Sequence, residues 1–82
     1  MTEDFIKERD RRIGIISDKG LIPMIQENVK INNKPISART VKETFKVERF
    51  DELKGVKLRV WYASEILIEK IEEDLNVYSR SI

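Results

Sequence analysis

Apolar residues recur at two different periods along this chain, and the change of period divides it. Between Ile36 and Phe45, Ala38, Val41 and Phe45 repeat at spacings of three and four, which places them on one face of a helix. Ser37 stands where a hydroxyl can accept from the first free amides of that helix, and Ile36 just outside it is placed to pack on Val41 as a hydrophobic staple. From Val56 the period drops to two. Val56, Leu58, Val60 and Tyr62 alternate with Lys57, Arg59 and Trp61, which predicts a strand. Phe45 to Phe50 is the expected partner strand, unless Phe45 closes the preceding helix. Asp51-Glu52-Leu53-Lys54-Gly55 then makes the hairpin connection, with Gly55 able to take a positive φ. Beyond Ser64, read as an N-cap, the helical period returns. Leu67, Ile71, Leu75 and Tyr78 form a seam that Ile68 broadens, with Glu65, Glu69 and Glu72 on the wet side.

The first third is less sharply patterned. Thr2, Glu3 and Asp4 make a favourable helix start, and Arg9, Arg11 and Arg12 suit the negative end of a helix reaching about residue 12. Phe5, Ile6 and Ile13 give it a thin apolar stripe. Gly14 is expected to weaken or end that helix, leaving residues 13–16 open between helix and strand, before a turn at Ser17-Asp18-Lys19-Gly20. Pro23, tolerated in a first turn only, marks a second helix from Leu21 with Ile22, Ile25 and Val29 on its apolar side. Asn32-Asn33-Lys34-Pro35 is read as its end. The expected whole is one α+β domain over residues 1–82: a helical extension at 1–16, two further helices, a two-stranded wing and a closing helix, with 79–82 as a frayed tail.

Charge changes this picture more than overall composition does. The 82 residues carry a net charge of only +1. Residues 30–59, however, hold nine basic and four acidic side chains, a balance of +5, whereas residues 60–82 hold two basic and five acidic, a balance of −3. Positive charge concentrated on adjoining elements is where a polyanion is met. Arg39, Lys42 and Lys46 repeat at helical spacing away from the apolar face, with Thr40 beside Arg39 in the first turn. Lys54, Lys57 and Arg59 add cations on the expected hairpin. Set alone, the helix cations are ordinary solvated charge; set beside the hairpin, they favour phosphate contact, with Arg39 and Thr40 placed to reach base edges. Trp61 is read as packing on a helix in preference to stacking on a base.

Other chemistry finds little support. The sequence has no Cys and no His, which removes thiolate chemistry, Cys-based zinc sites and the commonest general base. Ser-x-x-Lys spacing is absent, and Gly14, Gly20 and Gly55 do not form a phosphate loop. No catalytic residue, metal or cofactor is expected. Without an apolar run of about 18 residues, neither a membrane span nor membrane contact is expected, and a cytoplasmic location is the default.

Ser37-Ala38-Arg39-Thr40-Val41, followed by Asp51 to Trp61 and an Ile/Leu/Glu-rich helix, resembles the excisionase and MerR-like winged helix-turn-helix group. The resemblance spans about forty residues. It implies that Arg39, Thr40, Lys42 and Lys46 lie on a recognition helix, and Lys54, Lys57 and Arg59 on the wing. The chain departs from the group in lacking the wing glycine after Leu58, in its longer approach to Ser37 and longer first wing strand, and in its extra N-terminal helix. The implied function is binding of double-stranded DNA, as a small transcriptional regulator or recombination-directionality factor, phage- or plasmid-encoded. The seam Leu67, Ile71, Leu75 and Tyr78 is open to two uses, a homodimer interface or closure of the monomer core. A different class also stands: a protein-interaction module, such as a phage-type adaptor or inhibitor, using that same helix.

Overall fold

The structure, a computed structural model, describes the backbone of residues 2–80 and the side chains of residues 3–74. It is a mostly helical domain of four helices with one short antiparallel hairpin between the second and third. Helix α1 runs Thr2–Lys19 and α2 Ile22–Asn28; strands β1 Lys30–Ile31 and β2 Lys34–Pro35 follow; α3 is Ala38–Thr44 and α4 Val56–Arg80.

Several elements differ from the sequence expectation. Helix α1 passes straight through Gly14 and ends at Gly20, whose φ of +63° is the left-handed geometry a helix terminus uses. A glycine inside a helix costs only about 1 kcal/mol, and Ile16, fully buried one turn beyond the expected stop, outweighs that. The N-terminal helical extension at 1–16 is therefore an integral helix of the domain. The cap expected at Thr2 involves a side chain outside the described residues.

The larger correction concerns the wing. Neither 45–50 nor 56–62 is a strand. Phe45 closes α3, a 3-10 turn occupies Phe50–Glu52, and Val56–Tyr62 is the front of the long helix α4. The alternation in Val56-Lys57-Leu58-Arg59-Val60-Trp61-Tyr62 is overridden by a longer pattern. Val60, Trp61, Ser64, Leu67 and Ile68 are all buried, at offsets of 1, 4, 7 and 8 from Val60, which is one helix face. Ser64 is accordingly no N-cap: it lies inside α4, fully buried, with its hydroxyl donating to the Trp61 carbonyl at 2.6 Å. The helical backbone also continues through Ser79 and Arg80, where a frayed tail was expected; Ser81 and Ile82 lie outside the described residues.

The hairpin sits at Lys30–Pro35 instead, with Lys30 paired to Pro35 and Ile31 to Lys34. Asn32 and Asn33 take φ of +52° and +66°, the mirror-image turn that matches strand twist in a two-residue loop. Asn tolerates that geometry better than other residues with a Cβ.

One core joins all four helices. Ile16 of α1, Ile25 of α2, Val41 and Phe45 of α3, and Val60, Trp61, Leu67 and Ile68 of α4 are buried together. Leu21, Val29, Ile36 and Leu53, from the connecting segments, complete it. Trp61 is a packing residue: its ring stands 5.0 Å from Phe5 and 5.9 Å from Phe45. Phe45, on the apolar face read for α3, is buried, and it packs on the helix α4 where a wing strand was expected.

Candidate nucleic-acid interface

Helix α3 is the element the sequence specified most closely. The Ser37 hydroxyl accepts from the Thr40 amide at 3.2 Å, and Ile36 and Val41 both lie in the core. The Gln26 side-chain amide donates to the Ile36 carbonyl at 2.9 Å, which fixes the chain as it enters the helix. Thr44 ends the helix buried, its hydroxyl donating to the Thr40 carbonyl. With Val41, Thr44 and Phe45 turned inward, Arg39 and Lys42 are exposed on the outer side of α3, whereas Lys46, expected on the same helix, is exposed in the turn just past its end. Arg39 projects furthest, with 87% of its side chain exposed, and meets Glu43 at 2.9 Å across one turn.

The hairpin, the start of α3 and the start of α4 meet around one groove. Its walls are Ile31, Lys34 and Pro35 of the hairpin, Ser37 and Thr40 of α3, and Val56 of α4, with Ile36 at the base. Thr40 therefore turns toward this groove while Arg39 stands outside it. Lys30 and Lys34, both exposed on the hairpin, are candidate cations that sequence reasoning missed, and Lys34 lines the groove. The signal was available in Asn32-Asn33 flanked by lysines, a pair suited to a tight turn, but it was read only as a helix stop.

The cations expected on a wing are placed differently. Lys54 is exposed just before Gly55, which takes φ of +59° to lead into α4; Lys57 is half-buried in the first turn of that helix. On a strand Lys57 and Arg59 would share a face. On a helix, two residues apart, they diverge by about 200°. Val56 lines the groove; Arg59, three residues on, lies on the same side of α4 one turn further along, and Lys57 is rotated about 100° from Val56. The first turn of α4 carries no acid.

The connection from α3 to α4 is held by specific bonds. The Glu52 carboxylate accepts from the Glu48 and Arg49 amides at 2.7 and 3.0 Å, and these two bonds hold its pKa below the usual carboxylate value. Leu53 anchors the segment in the core. From α1, Arg9 donates to the Val47 carbonyl at 2.8 Å.

The expected association seam divides. Leu67 and Ile68 are buried and Ile71 is half-buried against the core, so this part closes the monomer and is not an interface. Its outer members, Leu75 and Tyr78, have side chains outside the described residues. Among the described residues, no helix is long and apolar enough to cross a membrane. Compared with family models, curated proteins and solved structures, the chain matches none.

Proposed function

We propose that this domain binds duplex DNA through the surface made by the Lys30–Pro35 hairpin, the outer face of α3 and the first turn of α4. The observation that carries the reading is the groove that joins Lys34, Thr40 and Val56, because it brings three separately basic elements to one side. In this reading α3 enters the major groove with Arg39 and Thr40 toward base edges. Lys42 and Lys46 neutralise phosphates, and the hairpin lysines and Lys54 and Lys57 hold the flanking backbone. The arrangement is a variation on the winged helix-turn-helix, with the hairpin leading into the recognition helix where a wing would follow it. A small regulator or an excisionase-like recombination factor is the role this fits.

The test is salt-dependent binding to duplex DNA. Contact with about four to six phosphates gives a log–log slope of about −4 to −5. Absence of binding at about 50 mM salt with micromolar protein sinks the reading, since the electrostatic part alone should survive there.

A further inference from the structure

The outward side of α4 carries a strip that the monomer does not cover. Arg59, Tyr62, Ile66, Lys70 and Glu73 fall within an arc of about 80° on the helix, opposite the buried face. Ile66 is 68% exposed and Tyr62 49%, large apolar surface at the middle of an otherwise charged strip. Beside Ile66 lies a groove between α2 and α4, lined by Met24, Asn28, Ala63, Leu67 and Lys70. Among the described residues, neither Arg59 nor Glu73 is in an ion pair.

The sequence of this strip is self-complementary about Ile66. Arg59 precedes it by seven residues and Glu73 follows it by seven; Tyr62 precedes it by four and Lys70 follows it by four. We infer that the occupant of this face is a second copy of the chain, its α4 antiparallel and the two-fold axis at Ile66. A two-fold interface presents the same patch from both sides, so residues equidistant from the axis and close to the midline of the contact meet. Arg59 then faces the partner's Glu73 twice over, because both lie within about 20° of that midline, and Tyr62 lies beside the partner's Glu69. Ala63 lies beside the partner's Lys70, and the two Ile66 side chains meet on the axis. A parallel pairing would set Arg59 on Arg59 and Glu73 on Glu73, so charge selects the antiparallel one. The contact runs about 21 Å along the helix, at the small end for a specific interface, so the dimer is expected only at high protein concentration.

Charge exchange tests it by sedimentation equilibrium at about 100–300 µM, high concentrations suited to so small a contact. Wild type is expected to show a dimer fraction that rises with concentration across this range. Arg59→Glu alone and Glu73→Arg alone should each sediment as monomer, because each opposes like charges at both ends. The double variant R59E/E73R should dimerise again, since exchanging the charges restores both pairs. All these positions are exposed, and circular dichroism verifies that each variant remains folded. Wild type that stays monomeric overturns the inference, as do single variants that dimerise like wild type, or a double variant that does not recover. None of these outcomes depends on DNA.

Discussion

Arg12 ties α1 to α4 through a buried polar network. Its guanidinium is buried, donating to the Trp61 carbonyl at 2.9 Å, the Ser64 hydroxyl at 3.2 Å and the Glu8 carboxylate at 2.8 Å. The same group lies 4.0 Å over the Trp61 ring. A planar fork with donors on several edges is required for this, and an ammonium cannot reproduce it. Arg12→Lys should therefore cost about 2–3 kcal/mol, read from urea unfolding followed by the fluorescence of the single Trp. A variant with an unchanged midpoint would show that the network contributes nothing. The partner carboxylate gives a second expectation. Hydrogen bonds from Arg11 and then Arg12 hold the Glu8 pKa down to about 2 from 4.5, against the opposing effect of burial. Because the folded value lies below the unfolded one, this stabilisation is complete above the unfolded value. It is lost as pH falls from about 4.5 toward about 2. Glu8→Gln should be less stable than wild type at pH 7 and flatter between pH 5 and about 2.5. Equal acid sensitivity of the two proteins would assign the loss to other carboxylates.

At the scale of elements, two backbone positions should respond in opposite directions. Gly14 lies inside α1 with no atom within 4 Å of where a Cβ would stand. Gly14→Ala should thus stabilise by about 0.5–1 kcal/mol, a rise of several degrees in melting temperature for a domain of this size. Asn33, at φ of +66° in the hairpin turn, should lose about 1 kcal/mol on change to Ala, which resists that geometry. Thermal melts showing both shifts with the same sign would contradict the backbone assignments. These positions also mark where the sequence was legible. Ser37, Ile36, Val41 and Phe45 define α3 by local contacts alone, and the structure has them as read. Gly14 and Val56–Tyr62 were misread because their fate depends on distant partners. A glycine's small penalty is overruled when Ile16 docks on the core, and seven alternating residues form a strand only beside a second strand. Here Phe45 is committed to the core and Glu52 to a 3-10 turn, so no such partner exists. Of the candidate cations, Arg39 and Lys42 stand on α3, Lys46 falls just past its end, the hairpin lysines gave no signal that was used, and Lys54, Lys57 and Arg59 sit on a connecting segment and the front of a helix where a wing was expected.

The whole molecule separates charge along its longest helix. The first turn of α4, with Lys57, adjoins the hairpin and α3, whereas Glu65, Glu69, Glu72, Glu73 and Asp74 follow in later turns. Arg11 of α1 takes one of these acids, Glu72, at 2.7 Å, which leaves the acidic excess of that end only partly neutralised. In the proposed function, this separation would attract a DNA duplex to one end of the domain and repel it from the other, orienting the protein before contact. Within the attracted end, the proposal assigns two kinds of work that separate experimentally. Lys34 and Lys57 stand on different elements and offer only point charges, so Lys34→Ala and Lys57→Ala should each weaken all sequences alike. Each should also reduce the salt slope by about one unit. Arg39, highly exposed on α3, has a fork suited to a guanine edge once it leaves Glu43. Arg39→Ala should then lose about 1–3 kcal/mol of discrimination between a selected site and random duplex. Binding titrations at three salt concentrations on both duplexes measure slope and discrimination together. If Arg39→Ala changes only the slope, as the lysine variants do, α3 acts as one more basic surface and base recognition by Arg39 is excluded.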